Sequence, residues 1–163
     1  MRSRFLYPLF ILVYFLSAVP TSGEASRAPL KWQFEKILVT RVVDGDTLEL
    51  ANGEHVRLIG IDTPDSRKNA KLYRDAKRSS RDAETLKFLG KQATGITRKL
   101  CEGKRVRLEY DVQKRDRYGR LLAYVYLEDN TFVNAELTRA GYAQAYTIPP
   151  NVRYQQLFLH FER

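Results

Sequence analysis

A single cysteine, Cys101, and two histidines, His55 and His160, are all that this 163-residue chain has of those two residue types. One thiol forms no intrachain disulfide, and no lipoprotein-type cysteine follows the N-terminal apolar run. His55 stands beside a hairpin signal and His160 near the C-terminus, and one histidine in each place does not build a zinc site. Ser–His or Cys–His nucleophilic catalysis lacks a plausible base for the same reason. There is no Gly-rich phosphate loop, no internal repeat and no βαβ rhythm. Acidic residues are the minority, 19 against 28 Lys and Arg, giving a formal charge of +9. That balance favours polyanionic partners such as nucleic acid or anionic lipid. Any chemistry must come from carboxylates and arginines.

Residues 1–25 read as a secretory signal peptide. A cationic MRSR precedes an apolar run of fifteen residues, Phe5 to Val19, and the small, polar PTSGEAS places Gly23 and Ala25 at −3 and −1 of a cut after Ala25. The run is short against the roughly 20 apolar residues of a membrane span; retention as a membrane tether is the alternative. The expected product is exported, secreted or periplasmic, with no stable membrane association after cleavage. Residues 26–35 are a linker and 36–163 one domain, for which 44% apolar residues supply a core.

Lys36–Asp44 reads as a first strand and Thr47–Ala51 as a second. Asn52-Gly53 is a hairpin signal, and His55–Asp62 is the return strand. Ser66 to Phe88 holds eight Lys and Arg against three acids, with only Leu72, Tyr73, Leu86 and Phe88 as large apolar residues. It reads as a basic insertion over 66–88, a mobile loop or a poorly anchored helix. Gly90–Glu102 carries Ala93, Ile96, Thr97 and Leu100 at helical spacing, with Cys101 as a buried thiol, and Gly103 ends it. Arg105–Asp111 and Arg120–Glu128 alternate as strands on either side of the DRYG turn. TFVNAELTRAGYA begins extended and becomes a short helix, and Tyr154, Leu157, Phe158 and Phe161 mark a last amphipathic helix. The fold class is α+β, mainly β: a five-stranded OB-fold barrel with about three helices.

Two acidic corners follow apolar strands. VDGDT places Asp44 and Asp46 around Gly45, and IDTPD places Asp62 and Asp65 around Thr63 and the rigid Pro64. A meander brings neighbouring strand ends together. Clustered carboxylates raise each other's pKa, a penalty that a hard cation reverses; oxygen-only ligands suit Ca²⁺ or Mg²⁺. Asp46, Asp62 and the Thr63 carbonyl are the candidate ligands, and Asp65 is presented outward beyond Pro64. Arg57 sits inside HVRLIGI, where a guanidinium is costly without an anionic partner. Arg120 opens a later strand. Two such groups suit a phosphodiester and the charge that builds on it. Taken singly, each feature has a plainer reading: a DG turn, a Pro corner, an edge-strand arginine, a solvated loop. Tyr118 and Tyr146 read either as base-stacking platforms or as half-buried packing.

In that order, VVDGDTLEL, VRLIGIDTPD, DRYGRLLAYVY and VNAELTRAGYA closely resemble the staphylococcal nuclease (thermonuclease) family, from about Val39 to Asn151. The resemblance implies an OB barrel and Ca²⁺-dependent hydrolysis of phosphodiester bonds in DNA and RNA. By it, Asp46, Asp62 and the Thr63 carbonyl match the metal ligands, and Arg57 and Arg120 the phosphate-binding arginines. Asp65 stands where the family usually has its general-base glutamate. Tyr118 and Tyr146 match nucleotide-contacting tyrosines, and Asp44 an acid behind the metal site. No protein partner is implied, and a monomer is expected. Three departures stand out: Asp65 is one methylene shorter than Glu, the basic segment after it is expanded, and the chain stops at Arg163, about where the last helix would continue. The alternative is a noncatalytic OB-fold module that binds nucleic acid or another polyanion.

Overall fold

The computed structural model describes residues 34–162; the expected signal peptide and most of the linker lie outside them. The elements run β1 (Phe34–Asp44), β2 (Thr47–Leu50), β3 (His55–Leu58), β4 (Gly60–Asp62), α1 (Ala70–Ser79), α2 (Ala83–Cys101), β5 (Arg105–Glu109), β6 (Leu121–Leu127), α3 (Val133–Arg139), β7 (Gln144–Tyr146) and α4 (Gln155–Phe161). Strands β1, β2, β3, β6 and β5 close a barrel in that order, as the sequence pattern predicts. Side chains of alternate residues fill it: Leu48 and Leu50, Val56 and Leu58, Val106 and Leu108, and Leu121, Ala123, Val125 and Leu127 are all buried. The first three strands are antiparallel neighbours. The parallel pairing of Val56 with Leu121 joins β3 to β6 and completes the closure.

The structure differs from the sequence reading in two places, and both shape the site. His55–Asp62 is not one strand. Gly60 adopts φ +82°, and a Cβ there would lie 2.3 Å from a ring carbon of the buried Phe158. The chain therefore leaves the barrel after Leu58, and β4 pairs with β7 instead, Gly60 opposite Tyr146 and Asp62 opposite Gln144. Buried Asn134 serves the break: its Nδ2 donates to the Ile59 carbonyl at 2.9 Å and its Oδ1 accepts from the Val125 amide at 2.9 Å.

Of the two readings of the basic stretch over 66–88, mobile loop or poorly anchored helix, the structure has helix, and Leu72 anchors it. The stretch holds α1 and the first turn of α2, making four helices among the described residues rather than about three. Asn69 caps α1 by accepting from the Leu72 amide, and Asp82 caps α2 by accepting from the Thr85 amide. The buried stripe of α2 is Leu86, Gly90, Ala93, Thr94, Thr97 and Cys101. Glycine and threonine carry little hydrophobic signal, so periodicity shows only the later part of that helix.

Candidate active site

The two acidic corners meet because a glycine lets them. A Cβ on Gly45 would lie 2.6 Å from Thr63 Oγ1. Across that close approach, Asp46 Oδ2 accepts from both the amide and the hydroxyl of Thr63 at 3.1 Å, while Asp46 Oδ1 accepts from Thr47 Oγ1 at 3.0 Å. Arg57, opposite Thr47 in the β2–β3 register, reaches both corners. Its guanidinium is ion-paired with Asp46 and donates to Asp62 Oδ1 at 2.6 Å and to the Ile61 carbonyl at 3.3 Å. Only 16% of the Arg57 side chain is exposed. Burial draws its pKa down and the Asp62 carboxylate opposes that shift, so the strand arginine has the anionic partners its position demands.

Lys71, from α1, is a second cation at the same carboxylate. Its Nζ lies 3.1 Å from each Asp62 oxygen, 3.4 Å from the Thr63 carbonyl and 3.8 Å from Asp65 Oδ1. Asp65 Oδ2 is buried and has no hydrogen-bond partner among the described residues. Burial raises the Asp65 pKa, with Lys71 pulling the other way. The corner is held from behind by α2: a Cβ on Gly90 would lie 2.5 Å from the Asp65 carbonyl. Asp44 accepts from the Gly45 amide and from Thr94 Oγ1, both at 3.0 Å, and so fastens the end of β1 to α2. None of its hydrogen bonds reaches Asp46 or Asp62.

The DRYGR turn faces this cluster. Asp116 Oδ1 accepts from the amides of Tyr118 and Arg120 at 2.9 and 3.0 Å, and Asp116 Oδ2 accepts from Arg120 Nε at 2.7 Å. Arg120 lines one groove together with Arg57, Asp46, Asp62 and Asp65, and its charge acts on that of Arg57. An adjoining cavity of about 470 Å³ has Tyr118 and Tyr146 in its wall beside the same two arginines. Tyr118 is 70% and Tyr146 48% exposed, so both rings face solvent rather than the core.

The structure thus brings Asp46, Arg57, Asp62 and Thr63 into direct contact, sets Asp65 beside them, puts Arg120 on the same groove, and leaves the tyrosines at its flank. Among the described residues, no three His, Cys, Asp or Glu side chains form a metal-binding group. The oxygen set is two carboxylates and a main-chain carbonyl, and two of those three already gather around a positive charge, the Lys71 ammonium. These hard donors fit a hard divalent ion. Sequence reasoning did not single out Lys71, Gly90, Thr94 or Asp116. Only Asp116, opening the turn that carries Arg120, had a local signal to find it by.

Residues 55–163 match the family described as "Staphylococcal nuclease homologue". The chain is 37% identical over 150 residues to the thermonuclease of Staphylococcus intermedius, covering 90% of this chain and 81% of that protein. It is 35% identical to the thermonuclease of Staphylococcus hyicus, covering 90% and 80%. With the endonuclease YncB of Bacillus subtilis it shares 32% identity, over 75% of this chain and 54% of that one. A barrel of this topology, matched along most of its length, makes the chain a member of the staphylococcal nuclease family.

Proposed function

We propose that the protein is an exported, Ca²⁺-dependent nuclease that hydrolyses phosphodiester bonds of DNA and RNA. The observation that carries this reading is the placement of Arg57, which is joined to Asp46 and Asp62 and shares a groove with Arg120. Asp46, Asp62 and the Thr63 carbonyl would hold the ion. Bound there, Ca²⁺ supplies Lewis-acid charge to a phosphoryl oxygen of the substrate. Arg57 and Arg120 bind the phosphate by forked hydrogen bonds and stabilise the charge that spreads over its oxygens as the bond to the leaving oxygen lengthens. Asp65, which lines the same groove, accepts the proton of the attacking water. Tyr118 and Tyr146 offer ring faces to the flanking nucleotides. Asp44 holds the corner in place.

The test is cleavage of plasmid DNA and of RNA by the purified protein with Ca²⁺, Mg²⁺ or EDTA. Cleavage with Ca²⁺ that stops on chelation supports the reading; tight binding to intact DNA in Ca²⁺ overturns it. N-terminal sequencing of exported material tests cleavage after Ala25.

A further inference from the structure

The expanded basic stretch is not used by the chemistry proposed above. Helix α1 carries Lys71, Arg74, Lys77 and Arg78 against one acid, Asp75. Lys71, Arg74, Asp75 and Arg78 stand at i, i+3, i+4 and i+7, one helical face, and all four line the groove that holds Arg57 and Arg120. Leu72, 1% exposed, anchors the helix on an adjacent face, while Tyr73 and Lys77 point to solvent. Lys71 fixes the helix at its head through Asp62. Asp75 lies 4.0 Å from Lys71 and 3.7 Å from Arg78, a single negative charge against three groove-facing cations. Arg74 and Arg78 are exposed. On the facing rim, Arg117 lies over the Tyr118 ring at 4.8 Å and lines the same groove. Both walls are therefore cationic, and the groove between them has a volume of about 700 Å³.

We infer that α1 is a second wall of the substrate groove, with Arg74 and Arg78 binding two successive phosphates of a polynucleotide strand to one side of the one held by Arg57 and Arg120. The inference rests on the proposed nuclease function and adds to it a preference for strands over mononucleotide-sized esters. The two arginines are four residues apart, a rise of about 6 Å along the helix, close to the separation of neighbouring phosphates on an extended strand. Guanidinium forks suit phosphate better than ammonium groups do.

The experiment is fluorescence anisotropy in EDTA, where no cleavage step enters, with a labelled single strand of about 12 nucleotides and a labelled dinucleotide. For the strand, the Arg74→Ala/Arg78→Ala protein should lose about 1.4 from the log–log salt slope, about 0.7 per phosphate contact, and bind roughly tenfold more weakly at physiological salt. Dinucleotide binding should change far less. Lys77→Ala removes a charge from the solvent side of the same helix and should leave the slope where it was. A wild-type slope in the double variant overturns the inference, and so does an equal loss on the dinucleotide or from Lys77→Ala. Thermal melts verify that the variants fold. A protein that cleaves DNA with Ca²⁺ while the double variant keeps its slope defeats this inference alone; one that never cleaves defeats the proposed function.

Discussion

The Lys71 ammonium lies 3.1 Å from both carboxylate oxygens of Asp62 and 3.4 Å from the Thr63 carbonyl. A divalent ion held by the same oxygens meets that positive charge at close range, and like charges a few Å apart cost about 1 kcal/mol or more even in water. Lys71→Met should therefore tighten Ca²⁺ binding on the order of tenfold, read by titration calorimetry without substrate. Unchanged or weaker binding would mean that the ammonium stands clear of the ion.

Arg57 and Arg120 should separate in stability while agreeing in activity. Each replacement by Ala removes one of the two proposed phosphate donors and should lower kcat/KM by about 10²–10³. Arg57→Ala also strips Asp46, only 5% exposed, and Asp62 of their shared cation. That should lower stability by about 2 kcal/mol, and added Ca²⁺ should restore part of the melting temperature. Arg120 pairs with Asp116 while a third of its own side chain is in solvent (33% exposed), so Arg120→Ala should cost under about 1 kcal/mol. Arg57→Lys should not rescue activity, because one ammonium does not reproduce a fork that reaches two corners.

The barrel was legible because its strands alternate: Leu121, Ala123, Val125 and Leu127 all point inward, as their spacing implies. The split of His55–Asp62 was not, because the apolar pattern runs unbroken through Ile59. What breaks the strand there is Phe158 and Asn134, which come from α4 and α3 far along the chain. The meeting of the two acidic corners was legible because their acids sit beside strand ends and a proline. Lys71 was not, being one of eight basic residues between 66 and 88; only the packing of Leu72 brings it to Asp62. The caps at Asn69 and Asp82 were readable locally, but the density of charge around them left loop and poorly anchored helix both open.

Asp65 sets a conflict between activity and stability. Burial raises its pKa above the usual value of 3.8. A base must be ionised, so kcat/KM should fall as pH drops through that raised value, on the neutral side of an ordinary carboxylate. The linkage has the opposite sign for folding. A group whose folded pKa is raised contributes stability below its unfolded pKa and loses it as pH climbs through the folded one. Asp65→Asn should abolish turnover yet stabilise the fold at neutral pH by on the order of 1 kcal/mol, a gain that vanishes in acid. Asp65→Glu extends the reach by about 1.5 Å and should raise kcat by roughly an order of magnitude. Rates and melting temperatures across pH test all three statements.

Gly90 and Gly95 lie in the same helix and should respond oppositely to one methyl group. Gly→Ala in a helix interior ordinarily gains up to about 1 kcal/mol. Around a Cβ at Gly95 there is open space, so Gly95→Ala should show that gain with activity unchanged. At Gly90 the new methyl meets the Asp65 carbonyl at 2.5 Å and the Pro64 oxygen at 2.6 Å. Those are backbone atoms on a proline corner and cannot rotate aside, so α2 or the corner must move. Overpacking of this kind costs about 1–3 kcal/mol and outweighs the propensity gain. Gly90→Ala should therefore lower the melting temperature. By displacing Asp65, the proposed base, it should also cut kcat by about 10². A variant that keeps full turnover would show that α2 does not set the position of Asp65.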